Sequence, residues 1–346
     1  MSLAHNGERF TPPHAARQLR MNLGFLPALW ADNGDVVLVD DVAFANQATI
    51  GSGLPLADVR YMTVSDLRAF GLTDGISGIS VWGWDRAIRF QLMQAGVPDN
   101  LMPDDSQIET IRQLSHRATA VNLLTRLRSH PRLAPLTVGE SRVCTTMDAV
   151  EQTIGEWGRV VLKSPWSSSG RGIKYVDSQL SRSQQGWCDN VLRSQGCVVV
   201  EIYNNKVKDF AMEFFSDGQG HVSYAGLSLF STLNGAYTGN IVAPEADKEA
   251  MLAAFLPIQV LHEVQRQLQL LLAEAIGTEY CGPLGVDMMV VASDDGRQHL
   301  LNPCVEINLR RTMGHVALSL SHSQHAAQRL MQIVHTGNYE LRLLEP

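Results

Sequence analysis

Apolar and polar positions change period along the chain, and each change marks an element. Asp35–Asp40 encloses Val-Val-Leu-Val, an apolar run that predicts a buried strand, and Ile76–Trp82 predicts a second. Arg86–Ala95 has helical spacing and is closed by Gly96 and Pro98, so strands and a helix at this spacing predict a small α/β unit over about the first 110 residues. Pro12-Pro13 marks a helix start at His14. Ser106–Leu127 reads as a helix, broken by Pro131 and Pro135. Val160–Lys163 is a strand, Ser164-Pro-Trp-Ser-Ser-Ser-Gly-Arg-Gly172 a loop of small residues, and Ile173–Val176 a strand again. That is a strand–loop–strand hairpin, not the strand–loop–helix of a P-loop.

Further on, Gln184–Gln195 predicts a helix and Cys197–Ile202 a strongly apolar strand. Lys208–Phe215 and Val222–Phe230 alternate with period two, as strands of an antiparallel sheet do. Lys248–Ile276 predicts a long helical region with Pro257 in its first part. Gly285–Ala292 and His299–Ile307 are two strands joined by the turn Ser293-Asp-Asp-Gly296. His322–Val334 reads as a closing helix, with His322 and His325 on its faces.

Composition narrows the classes. At ~100–200 residues per domain, 346 residues predict two or three domains, and 45% apolar with 18% charged residues is a globular balance. A net charge of −7 without a basic run argues against a nucleic-acid partner. Leu268–Ile276 is apolar but too short to span a membrane, and Met1–His5 lacks the charged head and apolar body of a signal peptide. Five cysteines, an odd number with no CxxC spacing, predict free thiols in a reducing cytoplasm.

Three groups of residues carry candidate chemistry. In the loop after Lys163, small residues allow backbone amides to approach phosphate oxygens, with an ammonium beside them; an ordinary hairpin with a solvated lysine fits the same residues. Glu306, Asn308 and Arg310 share one strand face, and Asp287 lies on the neighbouring strand. Two carboxylates and an amide oxygen form a hard, all-oxygen set suited to Mg²⁺; the alternative is a polar face turned to solvent. Val198-Val-Val-Glu-Ile-Tyr203 runs from a buried strand into a carboxylate able to accept from an exocyclic amine, and Asp209 could take ribose hydroxyls.

In this order, the glycine loop, Val-Val-Val-Glu201 and Val-Asp287 with Val-Glu306-Ile-Asn-Leu-Arg310 resemble the ATP-grasp superfamily over about residues 115–335. Phe10-Thr-Pro-Pro-His-Ala-Ala-Arg17, Trp82-Gly-Trp-Asp85 and Leu114-Ser-His-Arg117 resemble one bacterial group within it, which implies no substrate. The resemblance implies an α/β (α+β ATP-grasp) fold. An N-terminal α/β domain at 1–114 precedes a small subdomain at 115–196, with the lid loop, and a large subdomain at 197–346, with antiparallel sheets enclosing the nucleotide.

It also implies roles. Lys163 holds phosphates under Ser167, Ser168, Ser169, Gly170 and Gly172. Glu201 and the backbone of Ile202 and Tyr203 bind adenine. Asp287, Glu306 and Asn308 hold magnesium, and Arg310 stabilises developing charge. Arg117 stands where members usually carry a lysine, replacing a point charge by a planar fork. Ser228–Asn240, with Asn234 and Tyr237, falls where ligases place an acceptor-substrate loop, although a plain surface loop fits equally. Arg311 or His315 is placed to hold a substrate carboxylate; His315 also fits as a cap of the next helix. Trp82, Trp84 and Asp85 either line a pocket at the domain junction or belong to the core.

The activity implied is an ATP- and magnesium-dependent ligation, in which a carboxylate becomes an acyl phosphate that an amine or thiol attacks. A kinase of a small hydroxyl compound and a non-catalytic ATP-binding or regulatory protein are the alternatives. Homodimers are common among such ligases.

Overall fold

The alternation between Lys208 and Phe215 sorts residues to two faces in the computed structural model, which describes residues 2–70, 75–167, 172–233, 236–293, 295–321 and 328–345. Phe210, Met212 and Phe214 enter the main core, whereas Asp209, Ala211 and Glu213 line the opposite face. The strands in chain order are β1 (Val36–Leu38), β2 (Arg60–Met62), β3 (Ser141–Cys144), β4 (Arg159–Lys163), β5 (Ile173–Asp177), β6 (Val198–Ile202) and β7 (Lys206–Asp217). There follow β8 (Val222–Ser228), β9 (Phe230–Leu233), β10 (Ala236–Val242), β11 (Cys281–Ala292), β12 (His299–Asn308), β13 (Arg329–His335) and β14 (Tyr339–Leu344).

Among the described residues, three antiparallel sheets and one small parallel pair result. Their orders are β12-β11-β7-β8, β3-β6-β4-β5 and β14-β13-β10-β9, with β1 paired to β2. The main core lies on one face of the first sheet. The helix Ile258–Ile276 buries Val260, Leu261, Val264, Leu268 and Leu272 there, three or four residues apart as an amphipathic helix requires. The helix Arg117–Ser129 adds Ala120, Leu123, Leu124 and Leu127. On the other face, the helix Met313–Ser321 packs against β8 and β10.

Several boundaries differ from the sequence reading. Ile76–Trp82 is not a strand: Ile76, Ile79 and Val81 satisfy their apolar character by packing around Leu67 and Leu92, and β1 pairs in parallel with Arg60–Met62 instead. Ser106–Leu127 is two helices, Asp105–Leu114 and Arg117–Ser129, because His116 Nδ1 accepts from the Ala118 amide and starts a new helix. Pro257 likewise divides the long helical region into Glu245–Ala253 and Ile258–Ile276. The closing helix is a correction. Arg329–His335 is a strand, held between β10 and β14, whose alternating Tyr339–Leu344 supplies its partner. His322 and His325 lie outside the described residues.

All five cysteines are free thiols. Among the described residues, no helix is long and apolar enough to cross a membrane.

Candidate functional site

Two antiparallel sheets bring the predicted groups together. On β4, Lys163 lies opposite Val199 of β6, and Val161 lies opposite Glu201. Lys163 and Glu201 therefore share a face, and the ammonium meets the carboxylate at 2.5 Å with both side chains largely buried. The loop after Lys163 closes through the Ser164 amide, which donates to the Gly172 carbonyl at 2.9 Å. A Cβ at Gly172 would stand 2.2 Å from Ser164 Oγ and 2.4 Å from Ser167 Cβ, so only glycine fits this fold-back. Ser168, Ser169 and Gly170 lie outside the described residues.

Arg117 links this hairpin to the main sheet. At 5% exposure, it donates through Nε to the Ser164 carbonyl at 3.0 Å and through Nη2 to Ser167 Oγ at 3.1 Å. The same Nη2 is 3.1 Å from Glu306 Oε1, while Nη1 is buried with no hydrogen-bond partner among the described residues. A buried guanidinium with an unused donor fits an anionic group better than solvent.

The register of β11 and β12 sets the acidic group. Asp287 pairs with Glu306 across the ladder, and Gly285 with Asn308. Asn308 Nδ2 donates to Asp287 Oδ2 at 3.2 Å, and Arg310 Nη2 donates to Asn308 Oδ1 at 2.7 Å. Burial and then the charge of Glu306 raise the Asp287 carboxyl above the usual carboxylate range. A divalent cation relieves that repulsion, and two carboxylates with one amide oxygen fit magnesium completed by phosphate and water. Among the described residues, no group of three or more His, Cys, Asp or Glu side chains is placed to hold a metal ion.

The remaining candidates have other surroundings. The Ile202 and Tyr203 amides donate to the carbonyls of Glu140 and Arg159 at 2.9 and 3.0 Å, so both N–H groups are already engaged. Asp209 Oδ2 accepts from Lys206 Nζ at 2.6 Å and Thr232 Oγ1 at 2.8 Å. Tyr237 donates to Asn240 Oδ1 at 2.5 Å, and Asn234 lies outside the described residues. Arg311 stacks over Trp30 at 4.1 Å, and its amide donates to the Trp82 carbonyl at 2.7 Å. Burial lowers the Arg311 guanidinium to about 10, and Nε has no partner. Asp85 caps the helix Arg86–Gln94 through the Ile88 amide, and Trp84 packs against two cores.

His315 is a correction to its substrate role. Nδ1 accepts from the Thr312 amide at 3.2 Å, and Nε2 faces the Phe214 carbonyl at 3.3 Å, leaving the ring 7% exposed. Burial holds the imidazole neutral, down to about 4 from an ordinary 6.5. The unfolded chain takes up this proton below about 6.5 and the folded chain does not. Stability is therefore present above 6.5 and lost as pH falls towards 4, by up to about 3 kcal/mol. Glu213 and Asp287, whose carboxyls are raised, contribute slopes of opposite sign, so the His315 effect is read as the difference between the parent and His315→Gln in urea unfolding at stepped pH; equal slopes would remove the assignment.

The fold superposes on those of solved proteins. N5-carboxyaminoimidazole synthetase from Staphylococcus aureus, solved with ADP, superposes at TM-score 0.52 and 14% identity over 92% of this chain and 80% of that one. The biotin carboxylase domain dimer of Hydrogenobacter thermophilus 2-oxoglutarate carboxylase, solved with MgADP, ADP and bicarbonate, superposes at 0.53 and 14% over 91% and 72%. This chain has the ATP-grasp fold. No family model matches the sequence, and no curated protein matches it.

Within the ATP-grasp fold, two residues that the sequence reading left out stand beside the acidic group. Glu213 of β7 lies opposite Gly285, in the ladder row that continues to Asn308. Thr312 follows Arg310 and donates to Glu213 Oε1 at 2.8 Å. The available signal was a charged residue inside Phe-Ala-Met-Glu-Phe-Phe215, on the same strand face as Asp209.

Proposed function

We propose that this chain is an ATP- and magnesium-dependent ligase that activates a carboxylate as an acyl phosphate for attack by an amine or thiol. The observation that carries it is the convergence of Asp287, Glu306, Asn308 and Arg310 with buried Arg117, whose Nη1 lacks a partner. Solution of the two superposed proteins with ADP supports a nucleotide on this face.

In this reading Arg117 and Lys163 clamp the phosphates under the loop that begins at Ser167 and ends at Gly172, with Ser168, Ser169 and Gly170 between them. Glu201 and the Ile202–Tyr203 backbone meet adenine; with both amides engaged, the carbonyl groups and the Glu201 carboxylate are what that segment offers. Asp209 meets the ribose. Asp287, Glu306 and Asn308 would hold magnesium, which would supply positive charge against the phosphates. Arg310 faces the transferred group, and partly buried Arg311 holds the acceptor carboxylate.

No side-chain nucleophile is required, because phosphoryl transfer is accelerated chiefly by positioning and charge. The divisions at residues 114 and 196 accompany this reading, although β6, just past 196, belongs to the sheet of the lid hairpin. The free thiols support a cytoplasmic setting.

The test is product formation with paired substrate panels. A ligase releases ADP and phosphate only when an acid and an amine or thiol are both present. ADP formation with an alcohol alone identifies the kinase, and ATP binding without product identifies the binding protein.

A further inference from the structure

A buried hydrogen-bond inventory beside the acidic group does not close with ionised side chains. Glu213 is 1% exposed, and its Oε2 has no hydrogen-bond donor among the described residues. That oxygen is 3.1 Å from His315 Nδ1. The Thr312 N–H is already aimed at Nδ1, so this nitrogen presents its lone pair, and the ring proton belongs on Nε2 facing the Phe214 carbonyl. A bare carboxylate oxygen and a nitrogen lone pair repel at this separation, and a buried carboxylate without a donor is costly. A proton on Oε2 removes both difficulties.

The surrounding chain is shaped for this carboxyl group. A Cβ at Gly314 would stand 1.9 Å from Oε1, and one at Gly285 would stand 2.4 Å from Oε2. Two glycines thus open the slot into which Glu213 fits. Thr312 Oγ1 donates to Oε1 and accepts from the Gly314 and His315 amides at 3.1 and 3.3 Å, so the carboxyl group is tied to the first turn of the helix Met313–Ser321. Arg310 and Arg311 immediately precede that turn.

We infer that Glu213 is a positioning residue that carries its proton on Oε2 and, as a neutral acid, ties Thr312 and His315 to the sheet beside Asp287 and Glu306. Arg310 is thereby held over Asn308 while the face keeps only two metal-directed carboxylates. Burial pushes the Glu213 carboxyl up to about 8, with the Asp287 charge adding in the same direction and Arg310 and Lys248 opposing it.

Glu213→Gln is the decisive variant, because its amide nitrogen donates to Nδ1 and its oxygen accepts from Thr312, reproducing the neutral acid bond for bond. Infrared difference spectra of the full chain against Glu213→Gln at neutral pH should show a protonated-carboxyl carbonyl band in the parent only. Glu213→Gln should bind magnesium–ATP within about threefold of the parent, whereas Glu213→Leu loses ~10–100-fold, the range seen for residues that orient ligand-bearing groups.

Absence of the band, or Glu213→Gln as impaired as Glu213→Leu, overturns the assignment. The binding arm rests on the ATP-dependent reading above and the infrared arm does not. A parent with the band but no ATP affinity therefore rejects that reading while upholding the Glu213 proton.

Discussion

Glu306→Ala should abolish the magnesium dependence of ATP binding, at some cost in stability because buried Arg117 loses its carboxylate partner. Glu306 is paired with Asp287 across the ladder and is partly exposed, so its removal opens no core cavity. It also releases Arg117, whose Nη2 lies 3.1 Å from the Glu306 carboxylate. Two opposite effects follow. Magnesium loses one of two carboxylates, and Arg117 becomes more available to phosphate. Titration calorimetry should therefore give parent affinity that strengthens with magnesium and variant affinity that does not, with magnesium-free binding equal to the parent or slightly tighter. Turnover, once a substrate pair is known, should fall ~10²–10³-fold, the scale for losing one preorganised electrostatic group. A variant that retains the full magnesium response would sink the metal assignment.

Lys163→Met should produce the other large effect, on stability and binding together. Its ammonium is the close partner of Glu201, and both lie largely buried between sheets. Removing one member of such a pair strands the other and costs ~3–5 kcal/mol. The double variant Lys163→Met/Glu201→Gln carries no stranded charge and should recover most of that loss in denaturant unfolding. It should not recover ATP binding, because the positive charge offered to the phosphates is gone. Recovery of both would make the pair purely structural, and recovery of neither would place the defect in packing.

The sequence made the main sheet legible because period-two alternation separates Phe210, Met212 and Phe214 from Asp209, Ala211 and Glu213 without tertiary information. The acidic group was legible in part for the same reason, since period-two spacing puts Glu306 and Asn308 on one face of β12; that Asp287 meets Glu306 depends on a register shift between Asp287 and Met289, which no sequence pattern announces. Ile76–Trp82 and Arg329–Val334 failed because short apolar runs do not reveal what will cover them. The first packs as irregular chain around Leu67 and Leu92, and the second becomes a strand because Tyr339–Leu344 comes alongside. The Arg117–Glu306 contact joins segments far apart in the chain, so no local pattern announces it. Glu213 stayed hidden because its partner glycines, Gly285 and Gly314, meet it only in the folded chain.

The contact between Arg117 and Glu306 also bears on how the site responds to salt. Arg117, proposed to meet phosphate, and Glu306, proposed to meet metal, neutralise one another. Arrival of a magnesium–nucleotide complex then exchanges partners within the protein instead of confronting it with two bare charges. Such an exchange alters the local charge balance little, so the affinity should depend only weakly on ionic strength, even though each contact made is ionic.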